Sequence, residues 1–333
     1  MNKGFVIIFL ILIITSCSQT DTKSLITYSG KAQGTYYHIK HLSNNKKSYK
    51  TQVDSILNLV DNSLSTYKKK SLISKLNLGI ECATDSLFNI VFYASKKVFN
   101  ESEGYFDCSI GPIVDYWGFY NNKINDSIKI DTQQVNSLIS NVGFNKIELI
   151  DDSLILPKGM RLDFNSIAQG FSVDLIGNYF ISMGISDFMI ELGGEILVKG
   201  KNPNNELWTI GIEKPTDKLD RTEYQLIVPL RNKAIATSGN YRKYYIKDGI
   251  KYSHTINPFT GFPAKNKLLS VTVIHDQCMF ADAFATAFLS MGLTKTKEYL
   301  ERNTNIQVYL VYINKYGEWE TYISKDLEKM IKS

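Results

Sequence analysis

Hydrophobic and polar positions follow two rhythms along this chain. Val53, Ile56, Leu57 and Val60 recur at helical spacing and predict an amphipathic helix that ends at Asn62-Ser63. Leu87, Ile90, Val91, Ala94 and Val98 predict a second helix, and Val173, Ile176 and Phe180 a third. Ala281, Phe284, Ala285, Phe288 and Leu289 mark a fourth, apolar enough to sit inside the core, with the apolar run Leu269 to Ile274 leading into it. The other rhythm is alternation. Ser29 to Leu42 reads as a strand around Gly34-Thr35-Tyr36-Tyr37, and Lys146 to Leu156 as a hairpin closed near Asp151-Asp152.

The second half of the chain is mostly strands. They are expected over Phe188 to Glu191, Gly194 to Gly200, Trp208 to Ile212, Tyr224 to Leu230, Ala234 to Thr237, Tyr244 to Ile246, Ile250 to Ser253, Ser270 to Ile274 and Gln307 to Tyr312. Tight turns at Lys247-Asp248-Gly249 and Asn314 to Gly317 argue for antiparallel pairing. The class is therefore α+β, with helices laid on antiparallel sheet in one continuous unit.

With 333 residues, 44% of them hydrophobic and 12% aromatic, the chain can bury a large core and is not a disordered protein. Its net charge of +5 is spread along the sequence without a dense basic block, which argues against dedicated nucleic-acid binding. The lysines of Ser65-Thr66-Tyr67-Lys68-Lys69-Lys70-Ser71 read as a solvated face.

The start changes the picture of where the protein works. Lys3, the apolar run Phe5 to Ile14 and Thr15-Ser16-Cys17 form a secretory signal, too short to span a membrane of ~20 residues. Ile14-Thr15-Ser16-Cys17 resembles the bacterial lipobox, which implies lipidation at Cys17. The expected division is a signal at 1–16, a lipid-anchored tether at 17–28 and the folded domain at 29–333. Stable anchoring takes more than one acyl chain. That domain is then expected in the cell envelope, held to a membrane and facing the periplasm. Cys82, Cys108 and Cys278 show no CxxC or zinc-like spacing and read as small buried residues.

Candidate chemistry begins with Asp282 and Thr286. Four residues apart, they leave the fourth helix on one side, one turn above each other. Buried oxygens must be hydrogen-bonded, paired or metal-bound, and hard oxygen ligands suit Mg²⁺ or Ca²⁺ better than zinc. The competing reading has Asp282 capping its helix and Thr286 bonding back to its own turn. Gly104 to Pro112, continuing to Trp117-Gly118-Phe119, interleaves aromatics with glycines and suits either a wall for a flat ring or ordinary core packing. Leu162 to Asp174 reads as a strand end, a tight loop and a helix start, whose free amides favour anions. Glu191 to Glu195 and Thr237 to Arg242 place glycines where backbone can approach a ligand, and Ser253 to Pro263 is a rigid turn carrying His254.

Taken in order, Gly34-Thr35-Tyr36, Leu64 to Tyr67, Phe106 to Pro112, Asp163 to Asp174, Leu192-Gly193-Gly194, Thr237-Ser238-Gly239, His254 to Pro263 and Ala281-Asp282 with Thr286 resemble the ApbE family of flavin transferases. The resemblance implies an ApbE-like, T-fold-related architecture. It also implies an enzyme that binds FAD and Mg²⁺ and transfers FMN to a threonine or serine of an acceptor protein, with release of AMP. It suggests metal ligands at Asp282, Thr286 and the backbone oxygens of Ala168 and Ala285. FAD contacts are suggested at Gln33, Tyr67, Tyr105, Phe106, Asp107, Asn165, Phe171 and Ile256, and a catalytic base at His254. The implied acceptor is a subunit of a membrane electron-transfer complex. Gln169 stands where the family often has lysine, Gln33 where methionine is usual, and Asn257 where aspartate is frequent.

The chemistry suits these residues. A pyrophosphate repels any nucleophile until a cation and amides neutralise it, and a hydroxyl needs a base at neutral pH. Water in place of the acceptor hydroxyl would make an FAD pyrophosphatase, and loss of turnover would leave a non-catalytic FAD-binding lipoprotein.

Overall fold

The computed structural model describes residues 23–119, 131–215, 224–240, 244–247 and 250–332. The signal, Cys17, the tether as far as residue 22, Tyr241-Arg242 and the turn residues Asp248-Gly249 lie outside these. The first half comprises β1 (Ser24–Ala32), β2 (Thr35–Ser43), α1 (Lys50–Leu64), α2 (Leu72–Asn77), α3 (Ser86–Glu101), α4 (Gly111–Tyr116), α5 (Thr132–Ile139), β3 (Glu148–Ile150), β4 (Ser153–Ile155) and α6 (Ala168–Ser182). Strands β5 (Phe188–Leu192), β6 (Glu195–Lys199), β7 (Trp208–Glu213), β8 (Tyr224–Leu230), β9 (Lys233–Gly239), β10 (Tyr244–Lys247), β11 (Ile250–Ser253) and β12 (Leu268–His275) come next. The chain closes with α7 (Cys278–Met291), α8 (Leu293–Arg302), β13 (Gln307–Ile313), β14 (Trp319–Ile323) and α9 (Lys325–Lys332).

An eight-stranded sheet in the order β1-β2-β5-β6-β9-β12-β13-β14 organises the fold. Every neighbouring pair in it runs antiparallel. The α+β class read from the sequence is therefore the observed one. Helices cover one face: α6 lies on β5 and β6, α7 on β9 and β12, with α1 against α6 and α3 against α7. Val173, Ile176 and Phe180 of α6 pack there with Tyr37, Ile39 and Ile190 of the sheet. The other face carries the β7–β8 hairpin and α9, where Val228 and Leu327 meet Val198, Ile274 and Val311. No helix among the described residues is long and apolar enough to cross a membrane.

Two expectations need correction. Ser24 to Tyr28 belong to β1 and not to a tether. Ser29 to Leu42 is a hairpin and not one strand, with Ala32 opposite Thr35 and the turn at Gln33 (φ 51°) and Gly34 (φ 75°). Glutamine is not a usual residue for a left-handed turn position, so the fold-back has a weak local signal. Where the turn chemistry is ordinary the expectation holds: Asp151 (φ 45°) and Asp152 (φ 60°) close the β3–β4 hairpin. The short helices α2, α4, α5, α8 and α9 and the strand β14 were not anticipated. Each is too short, or too polar along its length, for periodicity to declare it.

Candidate active site

The end of β9, the start of β6, the first turn of α6 and the middle of α7 converge with the 254–258 turn on a cleft of about 440 Å³. Asp282 and Thr286 line one wall together, as their spacing requires. The spacing continues one step further than expected, because Ser290 lines the same cleft and donates its hydroxyl to the Ile256 carbonyl at 3.4 Å. Extending the four-residue interval along the sequence would have found it.

Neither oxygen of the pair serves its own helix. Asp282, only 6% exposed, accepts the Gly170 N–H in the first turn of α6 at 3.2 Å. Thr286 Oγ1 lies 3.2 Å from Ser238 Oγ of β9. The self-capping reading is thereby set aside. Burial, reinforced by the nearby Asp174 carboxylate and only partly offset by the Gly170 amide, pushes Asp282 up to about 7.

The loop before α6 is pinned from several directions. Asn77 receives the Leu162 N–H at 2.7 Å and donates to the Leu162 carbonyl at 2.8 Å, while Asp163 N–H donates to the Cys108 carbonyl at 2.7 Å. Asp163 then accepts Asn165 N–H at 2.8 Å, which turns the chain into α6. Asp107 lines the cleft, but its carboxylate already receives Ser109 N–H, Ser109 Oγ and Phe144 N–H at 2.8, 2.6 and 3.2 Å. Its chief work in this fold is to tie the 107–109 loop to residue 144.

Aromatic rings form the mouth. Tyr67 is 63% exposed there, and Tyr105 meets Phe259 edge-on with centroids 4.8 Å apart. Asn257 accepts Phe259 N–H at 2.9 Å and Thr260 N–H at 3.2 Å, so the amide oxygen does what an aspartate would do in organising the turn behind His254. Trp117 Nε1 donates to the Gly261 carbonyl at 2.7 Å and locks that turn onto the cluster of Ile113, Val135 and Ile256.

A sequence model of the ApbE family matches residues 33–310 of this chain. The chain belongs to the ApbE family. The FAD:protein FMN transferase of Vibrio cholerae is 33% identical over 312 residues, covering 91% of this chain and 92% of that protein. The Haemophilus influenzae enzyme of the same name is 34% identical over 326 residues, with 93% and 92% covered. Among solved structures, the flavin transferase ApbE from Vibrio cholerae superposes with a TM-score of 0.83 at 31% identity, covering 92% of this chain and 99% of that one. The apo flavinyl transferase ApbE of Pseudomonas stutzeri gives 0.83 at 28%, covering 93% and 98%.

Within this ApbE fold, Tyr67, Tyr105, Phe106, Asp107, Asn165, His254, Ile256, Asp282 and Thr286 line the one cleft. Gln33 and Ala168 line a smaller adjoining recess of about 120 Å³ that shares Tyr67, Asn165 and Gln169 with it. Gln33 donates to Ser172 Oγ at 2.7 Å, and that hydroxyl donates to the Ala168 carbonyl at 2.8 Å. Two residues fall elsewhere. Phe171 is packed into the main core and Ala285 is fully buried within α7, and neither lines the cleft. Helical rotation explains both: Phe171 is two residues from Gln169 and Ala285 is next to Thr286, intervals of about 200° and about 100° that turn their side chains away from the cleft.

Sequence reasoning did not single out Asp163, Glu195, Ser238 or Ser290, which also line the cleft. Its lining thus holds the carboxyl groups of Asp107, Asp163, Glu195 and Asp282 and, among the described residues, no lysine or arginine. Gln169, in the position where a family lysine is frequent, adds no charge. Those carboxylates repel an anionic ligand, and a cation bound among them would relieve that repulsion. The donors suit a hard ion, because carboxylate and hydroxyl oxygens line the cleft and the Ala168 carbonyl lines the recess beside it, although no group of three or more His, Cys, Asp or Glu side chains is assembled to hold a metal among the described residues.

Proposed function

We propose that this chain is an FAD:protein FMN transferase that cleaves the pyrophosphate of FAD and joins FMN through a phosphoester to a threonine or serine of an acceptor protein. The observation that carries the reading is a cleft with aromatic walls and an oxygen-lined, carboxylate-rich floor next to a helix N-terminus and His254. The relatives named above are FAD:protein FMN transferases, which supports the same substrate.

Asp282 and Thr286 would hold a magnesium ion, with the Ala168 carbonyl as a further oxygen, and the ion would supply positive charge among the carboxylates of the cleft. Tyr67 and Tyr105 offer faces and edges for the flat rings of FAD, with Phe106 buried behind them. The positive dipole end of α6, which opens at the cleft, favours the anionic phosphates. An imidazole nitrogen of His254 takes the proton of the acceptor hydroxyl as its oxygen bonds to the phosphorus of the FMN half. The P–O bond to the AMP half breaks, and AMP leaves with the electron pair. General-base help of this kind contributes about 10²–10⁴-fold.

The sequence pattern supports lipid attachment at Cys17 and a place in the cell envelope, where a membrane-bound electron-transfer subunit is the proposed acceptor. Metabolic labelling with a fatty acid tests the anchor, and label surviving in Cys17→Ala would refute it.

One incubation tests the chemistry. The purified protein is given FAD, Mg²⁺ and a flavin-carrying respiratory subunit, and AMP release and flavin fluorescence on the denatured acceptor are followed. Transfer gives both products. AMP without labelled acceptor identifies a hydrolase, and neither product identifies an FAD-binding protein. His254→Ala should slow transfer about 10²–10⁴-fold while FAD affinity holds, and selective loss of FAD binding would reassign that histidine.

A further inference from the structure

The helices α6 and α7 cap each other. Asp174, in the second turn of α6, accepts the Cys278 and Met279 N–H groups at 2.8 and 2.9 Å, which are the first two amides of α7. Asp282, in the second turn of α7, accepts the Gly170 N–H of α6 at 3.2 Å. The residues that precede the helices, Ile167 and Gln277, make no side-chain cap of their own. Each N-terminus, with its unsatisfied amides and positive dipole end, is therefore closed by a carboxylate from the other helix.

The two carboxylates do different work. Asp282 reaches the cleft, whereas Asp174 is not among the cleft's lining residues. What Asp174 holds is the helix that carries Asp282 and Thr286. Its two bonds fix the first turn of α7 over the first turn of α6, and the crossing is close because Gly170 presents no side chain to the Cys278 carbonyl. A carboxylate offers two acceptors to these two donors. Asparagine would keep one acceptor and turn its NH₂ toward an N–H, and alanine would keep none.

We propose that Asp174 is a positioning residue for the divalent-cation site. Its clamp on α7 sets the height and rotation at which the Asp282 and Thr286 oxygens stand beside the first turn of α6. The inference rests on the cation reading given above. Groups that orient a metal ligand from behind typically change affinity by about 10–100-fold when removed.

The test is titration of Mn²⁺ into the metal-free, purified full-length protein, followed by calorimetry, for wild type, Asp174→Asn, Asp174→Ala and Asp282→Ala, with circular dichroism as a check of folding. Asp174→Ala is expected to weaken Mn²⁺ binding by about tenfold or more, with Asp174→Asn between it and wild type. The Mg²⁺ concentration for half-maximal transfer should move by the same factor, while the KM for FAD at saturating Mg²⁺ stays within about twofold. A purely structural role would lower the melting temperature and leave the affinity of the folded protein unchanged. Folded Asp174→Ala with wild-type Mn²⁺ affinity overturns the proposal. If that variant does not fold, wild-type affinity in Asp174→Asn overturns it. Asp282→Ala separates the two levels: retained Mn²⁺ binding there refutes the cation site itself, whereas loss there with no change in the Asp174 variants refutes only the positioning role.

Discussion

Gly170→Ala is the sharpest probe of how this site is held. A Cβ at residue 170 would lie 2.5 Å from the Cys278 carbonyl oxygen, 2.7 Å from its carbon and 2.8 Å from Met279 Cα. All three are backbone atoms of α7, so no side chain can swing aside. Even close C–H···O contacts stand at about 3.3 Å, so the helices must part by about 0.8 Å. Overpacking of this order costs about 1–3 kcal/mol, offset by up to about 1 kcal/mol from the better helix propensity of alanine. At about 2–4 °C per kcal/mol, a net cost of up to about 3 kcal/mol lowers the melting temperature by up to about 12 °C.

Activity should suffer more than stability. Separation stretches the Gly170–Asp282 bond and moves Asp282 relative to the first turn of α6, and misplacement of about 1 Å can cost about 10²-fold in rate. Gly177→Ala supplies the control two turns along the same helix. There the added Cβ meets Leu197 Cδ2 at 2.5 Å, the far end of a side chain that can rotate. Thermal melts and AMP release for the two variants decide the matter. Wild-type melting and turnover in Gly170→Ala, or equal damage in Gly177→Ala, would refute the reasoning.

The buried carboxylates predict a pH signature. Burial raises Asp282 to about 7 and Asp174 to about 6, against an ordinary value of about 3.9. These two groups bind more protons in the folded metal-free protein than in the unfolded chain through this window, so the stability they contribute is fully present below about pH 4 and is lost as pH rises through 7. Melting temperature without metal should fall from pH 5 to pH 8, and Mg²⁺ should raise it more at pH 8, where the ligand is deprotonated; a flat profile counts against a buried, desolvated Asp282. Trp117→Phe removes the donor to the buried Gly261 carbonyl and should cost about 1–3 kcal/mol, with faster hydrogen exchange across residues 256–263. Unchanged exchange there would show that the turn behind His254 is held by something else.

Much of this molecule could be read before any coordinates. The strands of the second half, the β3–β4 turn at Asp151-Asp152 and the oxygen pair on α7 are local patterns, because the backbone period alone decides which side chains share a face. The same period, followed to Ser290, would have completed the stripe. By contrast, the Gln33 turn, the committed carboxylate of Asp107 and the withdrawal of Phe171 and Ala285 from the cleft depend on which elements meet. Periodicity shows that a side is covered without saying by what. Gln33 reaches Ser172 across 139 residues, Asp282 reaches Gly170 across 112, and Asp174 reaches Cys278 across 104. The sequence by itself determined an antiparallel α+β protein with Asp282 and Thr286 on one helical face. Only the tertiary structure decided that the helix carrying this face is capped by a carboxylate outside the cleft, since a hydrogen bond between distant segments leaves no trace in either segment's own pattern.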